Sequence, residues 1–338
     1  MLYAYQLRAH PNVRYQQSLL SLSQKELACM LAACGIEAEV QPRILGGAPF
    51  LCFEAPALSP EQQAFLCGLS GLYMTAALEG GLLRPLDQPQ RASFLPADMP
   101  EVLKYKGKTN ADFTQLMINL ALSAGEQWRT PKPLILDPMC GRGTTLFCAL
   151  IRGMDAVGVE TDKKSLHEGL TYARKWLQYH RIKHTLETGS LTLGGGRSAP
   201  SVSVRMAQDG QTLSFDMIQA DTRDAGQMLK KRPAHALIAD LPYGVQHAPR
   251  ENGHISGFGA LLSQALPAWR QALRPGCTAA IAFNTYTLKR SELEKLACQA
   301  GFVLPDPTRY SDFSHWVEQA VNRDVLVALN PAIPSTIS

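Results

Sequence analysis

The spacing of apolar residues changes along the 338-residue chain, and the changes predict where its elements lie. From Met1 to about Leu86 an alternating, strand-like run comes first. Leu27, Met30, Leu31 and Cys34 then recur at helical spacing, with Gly35 placed to end the helix. Ser23-Gln24-Lys25-Glu26 fits a capping box and predicts the start of that helix. A second extended stretch, Pro49 to Glu54, precedes a helix expected from Ser59-Pro60-Glu61-Gln62, where proline takes the first helical position. Together these elements predict a small α+β domain over residues 1–86.

Proline and polar residues from Pro85 to Pro100 mark a boundary, with a linker over 87–100. Beyond it, the basic stretch Lys104, Lys106 and Lys108 leads into a helix over Ala111 to Ala124, on which Phe113, Leu116, Met117, Leu120 and Ala121 share a face. From Pro133 onward the pattern switches to short apolar strands between helical stretches: Leu134–Leu136, Ala156–Val159, Met217–Ala220, Ala236–Ala239 and Thr278–Phe283. This alternation predicts an α/β domain over 101–330, a mostly parallel sheet with helices on both faces, followed by a tail at 331–338. Between the helix expected to end near His184 and the strand at Met217 lies an excess of about thirty residues. It holds Gly194-Gly195-Gly196 and the alternating Val202 to Met206, and reads as a β-hairpin inserted at the surface near 186–215.

Composition narrows the picture only slightly. An apolar fraction of 46% supplies a core for two domains, and a formal charge of +4 tolerates a polyanionic partner without demanding one. The eight cysteines are scattered through apolar stretches with no C-x-x-C pair and no zinc-like spacing. They read as buried thiols of a reducing compartment, and no metal is expected. The first residues lack a basic segment followed by an apolar run, and no stretch approaches the roughly 20 apolar residues of a membrane span. A cytoplasmic location is the expectation.

Candidate chemistry sits at the carboxyl ends of the expected strands, the edge where open α/β sheets bind ligands. The first strand runs into Asp137-Pro138-Met139-Cys140-Gly141-Arg142-Gly143-Thr144, and its glycines let a nucleotide-like ligand approach the backbone beside a helix start. A Walker loop would need a Gly-Lys-Ser/Thr ending, and a dinucleotide fingerprint a third glycine at Leu146. Neither is present. The second strand ends in Glu160-Thr161-Asp162, about twenty residues beyond the glycines, where a carboxylate can hold a ribose diol. Either Glu160 or Asp162 can serve. The third ends at Asp221.

The fourth strand delivers Asp240-Leu241-Pro242-Tyr243-Gly244. An amino nitrogen conjugated to a base ring is a poor nucleophile because its lone pair is delocalised, so its methylation needs acceptors aimed at both N–H bonds. Asp240 offers one acceptor and the Leu241 carbonyl another; Pro242 stiffens the turn, and Tyr243 offers a face for base stacking. A polar segment from Val245 to Gly259 reads as a loop over the substrate, with Gly244, His247 and Arg250 as candidate contacts and His254 beside them.

The glycine turn after Asp137 resembles the first motif of class I S-adenosylmethionine-dependent methyltransferases. The wider set, Lys106-Gly107-Lys108-Thr109-Asn110, Asp137 to Thr144, Gly158-Val159-Glu160, Asp240 to Gly244 and Asn322 to Val327, resembles the tRNA guanine-N2 methyltransferase group that includes THUMP-bearing enzymes. The resemblance covers roughly residues 100 to 330. It implies a seven-stranded, Rossmann-like sheet, S-adenosylmethionine as cofactor and RNA, most naturally tRNA, as partner. It also implies that Asp137, Pro138, Cys140, Gly141, Gly143, Thr144, Glu160, Asp162 and Asp221 surround the cofactor, with Asp221 accepting from the adenine amino group. By the same resemblance Thr109, Asn110 and Phe113 are cofactor neighbours on a closing helix, and the first domain is ferredoxin-like. The chain departs from the group in one respect: the linker leaves no room for a THUMP module. A DNA adenine-N6 or cytosine-N4 methyltransferase uses the same kind of Asp240 motif. An inactive cofactor-binding partner that presents RNA is the alternative from outside the enzymes.

Overall fold

The computed structural model describes residues 1–9, 13–87, 89, 93–102, 108–242 and 257–332. The amino-terminal part runs through strand β1 (Leu2–Leu7), helix α1 (Val13–Ala33), strands β2 (Gln41–Leu45) and β3 (Ala48–Glu54), helix α2 (Pro60–Leu66) and strands β4 (Leu72–Glu79) and β5 (Leu82–Pro85). Its strands form an antiparallel sheet in the order β2-β3-β1-β4-β5, a split βαβ arrangement with one added edge strand. Gly35, at φ +73°, closes α1, and Ser59 caps α2 through the reciprocal bonds expected of it.

The helix start predicted at Ser23 is corrected. Helix α1 begins at Val13, and Ser23 and Glu26 are fully buried within it. There the Glu26 carboxylate accepts from the Ser70 backbone N–H at 3.0 Å, from the Ser70 hydroxyl and from the Asn119 amide. A Ser-x-x-Glu spacing is one helical turn as well as a cap, and here a buried tertiary network satisfies it.

The larger part follows with α3 (Met99–Val102), α4 (Ala111–Ala124), β6 (Leu134–Asp137), α5 (Thr144–Leu150), β7 (Asp155–Glu160), α6 (Lys163–Tyr179), β8 (His184–Thr192), β9 (Ser198–Gln208), β10 (Gln211–Gln219), α7 (Ala225–Met228), β11 (Ala234–Asp240), α8 (Gly257–Ala272), β12 (Leu273–Asn284), α9 (Arg290–Gln299), β13 (His315–Glu318) and β14 (Val321–Leu329). Among the described residues its sheet has nine strands, in the order β13-β14-β12-β11-β6-β7-β10-β9-β8. From β10 to β12 neighbouring strands are parallel, and β14 runs against them. The seven strands from β13 to β10, with β14 antiparallel between β12 and β13, have the Rossmann-like arrangement expected. The count of seven is corrected by β8 and β9, which pair as the expected antiparallel hairpin but also join the sheet. Strand β9 pairs along nearly all of β10, and β8 along β9, so the insertion lengthens the sheet.

Alternation along the strands fills both faces. In β11, Ala236 and Ile238 join the core beneath α4, α5 and α6, whereas Leu237 and Ala239 join the one beneath α7, α8 and α9. Leu27, Met30 and Leu31 of α1 share the first core with Phe113, Leu116, Met117 and Leu120 of α4. Helix α4 is therefore held between the amino-terminal part and the sheet. Six of the eight cysteines are buried as expected, but Cys67 is half-buried and Cys298 exposed. No described helix is long and apolar enough to cross a membrane, and no metal-ligating cluster occurs among the described residues.

Candidate active site

Strand order reverses between β6 and β11, and a cleft of about 590 Å3 opens beyond the carboxyl ends of the strands there. Its lining includes Pro138 and Met139 after β6, Glu160 at the end of β7 and Asp162 beyond it, Asp221 after β10, Asp240 at the end of β11 and Pro242 beyond it, and Ala260, Leu261 and Gln264 of α8. Four carboxylates thus meet one cation, Arg223, among the lining residues. Such a cavity favours a ligand carrying positive charge, and its size suits a nucleoside-like molecule with room beside it.

The glycine turn follows directly on Pro138 and Met139 of the cleft lining. Gly141 and Gly143 adopt φ of +51° and +93°, and the Gly141 N–H donates to Glu160 Oε2 at 2.9 Å, tying the turn to β7. Two further glycines let other elements close on it. A Cβ on Gly158 would lie 2.6 Å from Cys140 Sγ, and one on Gly169 would lie 2.4 Å from the Arg142 carbonyl oxygen. In an ordinary helix Gly→Ala adds stability. Here Gly169→Ala should instead destabilise the protein by about 1–3 kcal/mol and weaken cofactor binding at least about tenfold. Thermal melts and calorimetric titration of that variant measure both effects.

The acids differ in their surroundings. Asp137 is buried, and burial pushes its carboxyl up to about 7; bonds from Thr145 and the Met139 N–H pull it down, and the nearby Asp240 and Glu160 push it further up. Glu160 also accepts from the Asp162 N–H at 2.8 Å. Asp162 caps α6, receiving the Ser165 hydroxyl and the N–H groups of Lys164 and Ser165, which hold it below the usual carboxylate range. The Arg223 guanidinium grips both oxygens of Asp221, at 2.9 and 2.7 Å, and lowers its pKa in the same sense.

Asp240 touches the cleft while protein surrounds the rest of it, and burial raises its carboxyl above the usual range. Arg323 and a hydrogen bond donated by Thr109 to Oδ2 oppose that rise. The main chain beside it is anchored by the Leu241 N–H, which donates to the Ala282 carbonyl at 3.0 Å. Arg323 lies over the Phe113 ring, 4.5 Å from its centroid, and His315 packs against the same ring at 5.0 Å.

No protein-family model and no curated protein matches the chain. Similar solved structures include TrmN from Thermus thermophilus, 16% identical over 97% of this chain and 99% of that one, with a TM-score of 0.41. The magnesium protoporphyrin IX methyltransferase of Synechocystis PCC 6803 with bound SAM is 14% identical over 68% of this chain and 89% of its own, again at 0.41. A Pyrococcus horikoshii protein proposed to be an RNA methyltransferase is 14% identical over 70% and 94%, also at 0.41.

Of the residues singled out in the sequence, Pro138, Glu160, Asp162, Asp221, Asp240 and Pro242 line the cleft. Asp137, Cys140, Gly141, Gly143 and Thr144 are not among its lining residues, although Gly141 is hydrogen-bonded to Glu160, which is. Thr109 touches Asp240, and Asn110 caps α4 by accepting from the Asp112 N–H at 2.9 Å. Phe113, expected as a cofactor neighbour, is fully buried, with His315 and Arg323 packed against its ring. The Leu241 side chain is likewise buried in the core, so only its backbone can serve the site. Tyr243, Gly244, His247, Arg250 and His254 lie outside the described residues, as do Lys104 and Lys106. The loop expected to reach Gly259 is shorter, because α8 begins at Gly257. Sequence reasoning missed Met139, Arg223, Leu261, Gln264 and Arg323. For Arg223 a signal existed in its place two residues beyond the strand-end Asp221; for Arg323 the one signal was its place in the Asn322 to Val327 stretch of the resemblance.

Proposed function

We propose that the chain is an S-adenosylmethionine-dependent N-methyltransferase acting on an exocyclic amino group of a nucleic-acid base, guanine N2 of tRNA or another structured RNA. The observation that carries this reading is the convergence of four strand-end carboxylates on one cleft at the switch point, with Asp240-Leu241-Pro242 at its edge. The donor set fits the cofactor. Glu160, with Asp162 beside it, would hold the ribose hydroxyls, Asp221 would accept from the adenine amino group, and the carboxylate excess would favour the cationic methionine end. The cofactor supplies an electrophilic methyl group.

The chain's own residues prepare the nucleophile. Asp240 and the Leu241 carbonyl accept the two N–H bonds of the target amino group, which turns its lone pair toward the methyl and stabilises positive charge as the bond forms. Arg323 and Thr109 favour the ionised form of Asp240, without which it loses acceptor capacity. Methyl transfer should therefore decline as pH falls through the raised pKa of Asp240.

Asp137 gives cofactor binding its own pH dependence. A cationic ligand favours the ionised carboxylate, so protonation below about 7 opposes binding. Affinity should drop up to about tenfold from pH 8 to pH 6, and the Asp137→Asn variant should bind more weakly with a flat profile. Calorimetric titration across that range checks both. The target is tested by mass spectrometry of nucleosides from a deletion strain, which should lack one methylated guanosine. Unchanged RNA with a missing methylated adenine or cytosine in DNA would replace this reading with the DNA one.

A further inference from the structure

A second cleft, of about 390 Å3, lies at the opposite end of the same sheet, among the starts of β7, β8 and β10 and the end of β9. Lys132, Lys183, Arg205 and Arg232 line it together with two carboxylates, Asp155 and Asp216. Both carboxylates are already engaged. Lys132 and Arg232 approach Asp155 to 3.1 and 3.2 Å, and Arg232 reaches Asp216 at 3.3 Å. Lys183 and Arg205 are exposed and have no acidic partner among the described residues. Lys230 and Lys231, also exposed, continue the charge outside the cleft beside Arg232. Arg274 and Arg232 stand close enough to His235 to push its imidazole, already lowered by burial, further below its ordinary value. A chain whose whole formal charge is +4 thus concentrates cations at this end.

The insertion builds this cleft. Arg205 of β9 stands opposite Ser214 of β10 and Thr185 of β8, so the three side chains share one face of the sheet. Next to them the Ser214 N–H donates to Asp155 Oδ1 at 2.8 Å, joining the row to β7. Without β8 and β9 the sheet would end at β10, and the cleft would lose Arg205, Lys183 and one wall. Two unpaired cations of different geometry, with the hydroxyls of Thr185, Thr212 and Ser214 around them, make a site for phosphate oxygens. Its open mouth and the lysines beyond it extend past the reach of a single small anion.

We propose that the insertion cleft binds the phosphate backbone of the RNA substrate, away from the site of chemistry. The proposal rests on the RNA methyltransferase reading. Asp155 and Glu160, at the two ends of β7, put the clefts about 17 Å apart, a separation that one folded RNA spans. Contacts of this kind hold and orient a nucleic acid without reading its sequence. They also supply a grip that does not depend on a THUMP module.

The test is filter binding of fractionated cellular RNA to the full chain and to Lys183→Glu/Arg205→Glu, between about 50 and 200 mM salt. Cofactor affinity and methyl transfer are measured in parallel. The double variant should bind RNA at least about tenfold more weakly, with the slope of log affinity against log salt reduced by about 2, and should keep its cofactor affinity. Equal RNA affinity and slope in the two proteins, with the wild type methylating RNA, would overturn the cleft assignment and leave the methyltransferase reading intact. A wild-type protein that neither binds nor methylates RNA would sink both. Loss of binding to inorganic phosphate or duplex DNA, with RNA binding unaffected, would make this a site for another anion and overturn the proposal.

Discussion

Replacing Asp240 with alanine should lower the rate of methyl transfer by about a hundred- to a thousandfold while leaving cofactor affinity within about threefold of wild type. The size follows from removing an acceptor that acts on charge developing in the transition state, inside a site where protein surrounds the carboxylate. The loss should fall on kcat rather than KM, because the ground-state amino group carries little of that charge. Asp240→Asn separates acceptor from shape: it keeps the side-chain volume but turns one oxygen into a donor, so it should be nearly as inactive. Lost cofactor binding in either variant would instead place Asp240 among the residues that build the cofactor half.

The second large effect lies far from the chemistry. Glu26→Ala should destabilise the protein by about 3 kcal/mol or more, because it leaves the Ser70 N–H and hydroxyl without their acceptor, takes one of two acceptors from the Asn119 amide, and removes the negative charge that faces Arg152. Burial pushes Glu26 up to about 7, against the pull of Ser70, Asn119 and Arg152. Because its folded pKa lies above the ordinary value, the stability linked to its proton is full at acid pH and lost as pH rises through 7. The wild type should therefore lose stability relative to Glu26→Gln between pH 5 and pH 8. Denaturant midpoints of the three proteins at both pH values measure this, and an alanine variant as stable as wild type would remove Glu26 from any anchoring role.

The two effects are connected through α4. Glu26 binds Asn119 in the middle of that helix, Arg8 pairs with Asp112 in its first turn, and Thr109 just before it donates to Asp240. Packing of the amino-terminal part on α4 thus sets the position of a hydroxyl that steadies the proposed catalytic carboxylate. Loosening that packing should reach the active site before it unfolds the sheet.

The strands and their order along the chain were legible because burial on both faces leaves continuous apolar runs, as from Ala236 to Ala239, and because carboxylates at the strand ends punctuate them. Other features were hidden for separate reasons. The Ser23 to Glu26 spacing is shared by caps and by any helical turn, and only Ser70 and Asn119, distant in sequence, reveal which it is. The alternation from Val202 to Met206 identifies a strand but not its partner, so a detached hairpin and a sheet extension look alike until β10 is seen pairing from Gln211 onward. Phe113 lies on the predicted helix face, yet its direction is set by His315 and Arg323, two residues of a hairpin two hundred positions away that no local pattern associates with it.

The most direct measurement is the transfer of a labelled methyl group from S-adenosylmethionine to fractionated cellular RNA and to DNA by the wild type and by Asp240→Ala. The account predicts label in one RNA fraction, recovered as N2-methylguanosine, and loss of that label in the variant with cofactor binding retained. Label in DNA or in no macromolecule, or transfer by the variant at the wild-type rate, would contradict it.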